Sequence, residues 1–503
     1  MLTPQQRIEE AIHRTLPGVP VEVEPGSVCA RDGVTFSLIE INGAPRLALL
    51  GKAGCARDFN VAQEFRAESR VLALCHPGPE NAQALRRALP FTAPLPLGQK
   101  DATFGMGDRL GVAGPGHIRA IRAYRASPLL AQQSTRELSL TSRTFAEVLD
   151  AASWAVFREG FQEPWGADGD HLKGEKEVKA ALSAGFTMVT ADVSDFLRSD
   201  HFSRSDAEIA AAWERLDPTY RKDLEERYLD RAFPLAPGEG LRFAETDLRR
   251  IVLVYGDALE HGARLHHAAE AERGAEGFDF ELSVDETEAP TTPQAHLFIA
   301  MEARRRGISL SSLAPRFVGE FQKAIDYIGS GAEFERSFAA HAAVARTLGH
   351  RVSVHSGSDK FSVFPSIGRL SGGRFHIKTS GTSWLEALRV IAGAEPAFFR
   401  EVYARALFSY DTASRYYQVT PDLAALPEAR GLGDREASRL LDDANARRVL
   451  HITYGEILAD AAMKDRIFRI LERERVHYWQ ALEAHLGKHL ERLGVSRRGV
   501  DSG

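Results

Sequence analysis

The chain has 503 residues, 44% hydrophobic and 26% charged, with a formal net charge of −6, which is the balance of a soluble globular protein of one to three domains. No block of like charge stands out, which argues against the clustered basic face of a nucleic-acid binder. No stretch approaches the roughly 20 apolar residues that span a bilayer. Cys29, Cys55 and Cys75 are the only cysteines; without CxxC spacing they exclude a disulfide scaffold and a thiolate zinc site, and they suit a reducing cytoplasm. The start, MLTPQQRIEEAIHRTL, is polar and helical in pattern and lacks the apolar core of a secretory signal.

In chain order, residues 1–98 are expected to form a small α+β unit. VTFSLIEI (34–41) and PRLALLG (45–51) alternate as strands, AQEFRAESRVLALC (62–75) has a helical pattern, and the proline-rich PFTAPLPLG (90–98) reads as a linker. From residue 99 to about 395 short strand-like runs alternate with helical segments. They fall at 103–107, 129–134, 164–168, 186–192, 278–285, 312–317, 351–357 and 374–381. Eight βα units predict an α/β fold of the closed (β/α)8, TIM-type barrel class. Thr144 with Glu147, and Ser383 with Glu386, have capping-box spacing ahead of two of the helices. The long segment at about 195–275, after the fourth strand, has almost no strand signal and predicts a helical insertion. Residues 396–503 predict a helical C-terminal extension, whose last stretch places Ile467, Leu471, Leu482, Leu486 and Leu490 on one face.

Alternation locates the chemistry. In FDFELSVD (278–285), Phe278, Phe280, Leu282 and Val284 share the face that must meet the barrel's helices, so Asp279, Glu281, Ser283 and Asp285 point inward. By the same rule His376 and Lys378 face in from RFHIKTSG, and Ser353 and His355 from RVSVHSG. The cluster GADGDHLK (166–173) adds Asp168, Asp170, His171 and Lys173 beyond the third strand. Catalytic groups of such barrels gather at the carboxyl ends of the strands. His171, His355 and His376 are therefore the expected ligands of one divalent cation, for which imidazoles suit zinc, nickel or cobalt and added carboxylates allow manganese. Taken one at a time, each histidine could equally be a hydrogen-bonded structural residue. Asp170 and Glu281 are the expected acid–base pair, although either could itself be a ligand or a partner of one.

Further charged residues fall at the same end. Asp108 and Arg109 follow the first strand, Arg316, Glu320 and Lys323 the sixth, and Asp359 and Lys360 the seventh. Together with Lys173 and Lys378 they are candidates to bind an anionic substrate, Arg109, Arg316 and Lys378 foremost; a rim network of ion pairs is the plainer alternative. The chain contains no GxxxxGK[ST] phosphate loop and no GxSxG elbow, and GMGDRLG lacks the spacing of a dinucleotide site. The chemistry is left to side chains, a metal and the substrate.

At these residues the sequence resembles the tagaturonate epimerase family. The matching segments are FGMGDRLGVAGPGHIRA (104–120), QQSTREL (132–138), WGADGDHLK (165–173), DFELSVDETEAPTTPQAHLF (279–298), SLAPRFVGEFQKAIDYIG (312–329), RVSVHSGSDKFSVFP (351–365), HIKTSGTSWLEALR (376–389) and VLHITYGEIL (449–458). The resemblance implies a metal-dependent isomerase that interconverts D-tagaturonate and D-fructuronate in hexuronate breakdown. Asp170, His171, Glu281, His355 and His376 stand where the family motifs put their polar core. The two acids differ at a carbon one removed from the α position, so a retro-aldol route is implied. A metal-dependent aldolase or ketose isomerase would share the same residues; a non-catalytic sugar-acid binding protein is a further alternative, against which the intact base–metal set argues. The expected partner is a small anionic sugar acid, with no nucleic acid or membrane; a homo-oligomer is compatible with the pattern.

Overall fold

The structure, a computed structural model, describes residues 2–67, 70–98, 100–235, 240–417 and 419–499. Six short strands open the chain: β1 (Val21–Val23), β2 (Cys29–Arg31), β3 (Val34–Ile41), β4 (Ala44–Gly51), β5 (Val61–Ala67) and β6 (Arg70–Cys75). They pair antiparallel in the order β1-β3-β4-β6-β5, with β2 beside β3. The segment 62–75, expected to be helical, is the hairpin β5–β6. Its Ala, Glu and Arg content favours a helix locally, but β6 is buried on both faces. Val71, Ala73 and Cys75 pack toward the helix Pro79–Ala88, while Leu72 and Leu74 pack toward Ile8 and Ile12 of the helix Pro4–Thr15. Tertiary pairing overrides propensity where both faces find apolar cover.

Eight parallel strands then close a barrel: β7 (Ala102–Met106), β8 (Ser127–Ser134), β9 (Gly166–Leu172), β10 (Met188–Asp192), β11 (Asp279–Val284), β12 (Ser312–Pro315), β13 (Arg351–Val354) and β14 (Phe375–Thr379). Each pairs with the next, and β14 returns to β7. The outward faces predicted by alternation are apolar and buried against helices, as at Phe280, Leu282, Val352 and Ile377. The proline-rich stretch before β7 is more than a linker, since it seals the amino end of the barrel. Leu97 and Gly98 donate backbone hydrogen bonds to the Asp279 carboxylate, and Arg351 donates to the carbonyls of Gly98 and Lys100.

The excursion after β10 holds the helices Asp206–Trp213 and Pro218–Tyr228 before a 29-residue helix, Glu245–Arg273, which packs on β10 and serves as the barrel helix of that unit. Thr144 and Glu147 form the expected capping box. Ser383 does not: the helix Thr382–Ala394 begins a residue earlier, with Gly381 at its cap. The Ser383 hydroxyl instead donates to the Gly107 carbonyl and meets His117 Nε2 at 2.7 Å, because this helix start is buried under the C-terminal helices. Those helices (Pro396–Ala413, Ala444–Ile452, Tyr454–Leu458, Ala461–Arg473 and Arg475–Arg492) share a second core with Trp384, Leu388 and Ile391. Ile467, Leu471 and Leu482 lie in that core, while Leu486 and Leu490 join the barrel's. No described helix is long and apolar enough to cross a membrane.

Candidate active site at the carboxyl end of the barrel

The site is built on β9, β10, β11 and β14. Strand β9 runs to Leu172, four residues beyond the expected end, so Asp168 and Asp170 belong to the strand and alternate inward with Gly169 between them. His171 would then face outward, but its φ of +51° lies in the left-handed region that non-glycine residues rarely adopt. That kink accompanies a register irregularity between β9 and β10. It leaves the His171 ring 4.9 Å from the His355 ring, centroid to centroid, and its Nδ1 3.5 Å from Asp192.

Lys378, buried on β14, is the hub. Its Nζ lies 2.8 Å from Asp168, 2.7 Å from Asp170 and 3.0 Å from Glu281, and it also donates to Thr190. Glu281 accepts from Ser312 at 2.5 Å and meets His355 Nε2 at 2.7 Å; on its other side His355 lies 3.3 Å from Asp285. Burial pushes the Asp168 carboxyl up to about 6, with Asp170 and Glu281 adding to the rise and Lys378 opposing it. Burial acts on Asp170 and Glu281 too, yet Lys378 and the nearby histidines hold both below the usual carboxylate range. Burial also works against His355, but Asp285 and Glu281 raise it to about 10. Environment thus separates the three carboxylates, a common device for dividing acid and base roles.

His376 lies one layer deeper, two residues before Lys378 on the same face. Its Nδ1 meets the Thr103 hydroxyl at 2.9 Å, and burial lowers its pKa to about 3. The expected trio of His171, His355 and His376 is not gathered within one ligand-sized sphere. Among the described residues, two groups do bring three donor atoms within 4.8 Å of one another: His171 with Asp192 and Glu286, and Asp359 with His485 and His489. The second group is already satisfied. Arg447 and His485 hold the two Asp359 oxygens at 2.6 Å each, and the Asp359 amide donates to His489 Nε2.

The first group sits at the mouth and suits a cation. Five carboxylates (Asp168, Asp170, Asp192, Glu281 and Asp285) crowd around Lys378 and the two histidines. His171 Nδ1 and His376 Nε2 are buried without a hydrogen-bond partner. His376, held at Nδ1 by Thr103 with Nε2 bare, is oriented as metal ligands are, whereas the His171 ring stands between Asp170 and Asp192.

The remaining candidates are dispersed. Asp108 accepts from the amides of Leu110, Gly111 and Ala113 and so shapes its own loop. Arg109 is buried, paired with Glu137 at 3.0 Å, bonded to the His451 carbonyl and stacked on Tyr454. Its guanidinium ties the barrel to the C-terminal helices and leaves no fork for a ligand. Asp359 and Lys360 are likewise turned to the C-terminal helices and the loop after β12. Lys173, part-exposed, pairs with Asp195 at 2.7 Å. Arg316 is half-buried, and its side chain makes no hydrogen bond or ion pair to a described residue. Asp168, Thr190, Asp192 and Glu286 went unassigned from the sequence. Alternation along VTAD (189–192) places Thr190 and Asp192 on the inner face and could have found both.

The chain matches the family described as tagaturonate epimerase over residues 26–493. It is 39% identical over 474 residues to the tagaturonate/fructuronate epimerase of Thermotoga maritima, covering 94% of this chain and 97% of that protein. The native crystal structure of fructuronate-tagaturonate epimerase from Cohnella laeviribosi superposes with a TM-score of 0.91 at 40% identity, covering 97% of this chain and 100% of that one. A glycerol-complexed structure of the same protein gives the same score, at 98% and 99% coverage.

Proposed function

The chain belongs to the tagaturonate epimerase family and is a carbohydrate epimerase, and on that premise we propose that it interconverts D-tagaturonate and D-fructuronate by breaking and remaking one carbon–carbon bond. The observation that carries the proposal is the buried group of Asp168, Asp170 and Glu281 on Lys378, facing His171 and His355. Inversion at a carbon one removed from the α position cannot proceed by α-proton exchange. A base must take the hydroxyl proton at that carbon, whereupon the bond to the α-carbon breaks, its electron pair enters the ketone half, and the other half leaves as an aldehyde. Rotation of the aldehyde followed by re-addition and return of the proton inverts the centre.

In this chain Asp170 and Glu281 are the carboxylates for the proton transfers, since both lie on Lys378 and both are held ionised. Lys378 keeps them in place and balances their charge. His171 would supply a nitrogen donor to a divalent metal, with Asp192 and Glu286 as the nearest oxygen donors; zinc, manganese, nickel or cobalt suits such a mixed set. A metal there supplies Lewis-acid stabilisation of the negative charge that develops on the ketone half. Arg316 and Lys173 are further cations at this end of the barrel that suit an anionic substrate.

NMR of tagaturonate incubated with metal-loaded protein tests the reading. Fructuronate should accumulate to a fixed ratio with no smaller fragment released. Release of the two three-carbon halves, a ketone and an aldehyde acid, would make the protein an aldolase, and no change in the spectrum would sink the proposal.

A further inference from the structure

Lys323 lies in the long loop between β12 and the helix Gly331–Leu348, and the reaction outlined above does not use it. The turn that carries it is held with unusual firmness. Lys360 Nζ donates to the carbonyls of Gln322 and Ile325, at 2.8 and 2.5 Å, and Arg447 Nε donates to the Ala324 carbonyl at 2.8 Å. The carbonyls on both sides of Lys323 are thus gripped by cations. Ala324, fully buried, sits at φ +66°, a conformation that costs an L-residue of order 1 kcal/mol and persists only when its surroundings impose it. The Gln322 side chain is pinned as well, to Thr420 and Arg448.

The ammonium presented by this turn has no partner of its own: among the described residues Lys323 makes no hydrogen bond or ion pair. The charged groups whose fields act on it are Arg136, Glu137, Asp285 and Asp170, and Lys360 feels its charge in turn. Each acid among them is already engaged: Glu137 with Arg109 and Gln133, Asp285 with Ser283 and His355, and Asp170 with Lys378. Lys360 spends its three donors on the carbonyls of Gln322, Ile325 and Ser358. Arg136, a second cation that acts on Lys323, donates to the Tyr416 carbonyl and lies over the Tyr417 ring. Burial first, then Arg136, lowers the Lys323 pKa from its ordinary value. An arriving sugar acid would meet a mouth crowded with carboxylates, and only a cation without a counter-ion can offset that repulsion.

We propose that Lys323 receives the carboxylate of the sugar-acid substrate and sets the preference for acids over neutral sugars. This rests on the sugar-acid reading of the same site. It also gives Lys360 and Arg447 a task, as positioning residues that hold the turn.

The test compares wild type, Lys323→Met and Lys323→Arg on D-tagaturonate and on the neutral ketohexose with a hydroxymethyl group in place of the carboxylate. For Lys323→Met, the ratio of kcat/KM for acid over neutral sugar should fall about 10- to 100-fold, mostly through KM, as expected for losing one charged hydrogen bond. Lys323→Arg should recover part of the ratio. An equal fall on both sugars, or no fall on either, overturns the proposal. Because Lys323 makes no hydrogen bond or ion pair among the described residues, the Met variant should keep the wild-type melting temperature, which separates this effect from misfolding. If wild type does not interconvert the two acids, calorimetric titration with D-galactonate, a sugar acid that lacks the ketone, decides instead. Binding at least tenfold weaker in Lys323→Met supports the assignment; equal binding, or none to either protein, overturns it.

Discussion

At the scale of single residues, Lys378 does what no other cation of the mouth can. Among the described residues it is the one basic group in contact with Asp168, Asp170 and Glu281 together, and all four side chains are buried. Removing one partner of a buried ion pair leaves the other charges uncompensated, typically at a cost of about 3–5 kcal/mol. Lys378→Met is therefore expected to lose about that much stability in denaturant unfolding, together with its activity; a loss under about 1 kcal/mol would show that the carboxylates shed their charge without it. The acid–base assignment has its own measurement. Asp170→Asn and Glu281→Gln should each lower turnover roughly a hundredfold or more while bound metal, read by elemental analysis, stays at the wild-type level. Loss of metal along with activity would transfer that residue to the ligand set. Alternation alone pointed to Glu281, His376 and Lys378, because strand faces obey a strict period of two. It could not give His171 its direction, since the positive φ that turns the ring inward depends on how β9 meets β10.

At the scale of elements, three histidines link two helices and a strand entry on the outside of the barrel. His296, on the helix Pro293–Arg305, shares Nδ1 with His341 Nδ1 at 2.9 Å and Nε2 with His350 Nε2 at 2.8 Å. A neutral imidazole has one N–H and one lone pair, so His296 donates at one nitrogen and accepts at the other. Burial lowers His341 to about 4; burial, then Arg374 and Arg351, lowers His350 to about 3; and burial, then His350 and His341, takes His296 well below its ordinary value. The folded state thus binds fewer protons than the unfolded chain. Their contribution is complete above the unfolded pKa of about 6.5 and is lost as pH falls toward the folded values. At pH 5 each of His341 and His350 should cost about 2 kcal/mol. Replacing both with glutamine should shrink the stability difference between pH 8 and pH 5 by about 4 kcal/mol, and an unchanged difference would refute the relay's role. Sequence spacing gives no hint of this group, since its members come from three separate elements. The same limit explains the β5–β6 hairpin and Ser383: local pattern favoured helix and cap, and neighbours remote in sequence decided otherwise.

At the scale of the whole molecule, the C-terminal helices complete the barrel. Arg109 crosses to the His451 carbonyl, Asp359 is held by Arg447 and His485, and the His451 ring fills the space beside Gly381, where a Cβ would lie 1.7 Å from it. The helix Thr382–Ala394 buries Trp384, Leu388 and Ile391 in the core it shares with them. A chain truncated after residue 395 is therefore expected to expose that core, bind a hydrophobic dye and lose its cooperative melt. A sharp transition at the full-length temperature would show that the barrel stands alone.

Strand alternation and βα succession, being local and repeated along the chain, made the barrel, its eight strands and part of the inward set of acids and bases legible in the sequence, while Thr190, Asp192 and Glu286 escaped it. Family membership was legible in long motifs, which surround the site. It took the tertiary structure to show that Arg109, Asp359 and Lys360 brace the C-terminal helices and the loop after β12, that Lys378 gathers three carboxylates, and that Lys323 has no partner among the described residues. Whether a charge is paired depends on which residues, hundreds of positions away, fold against it, and neither composition nor period carries that information.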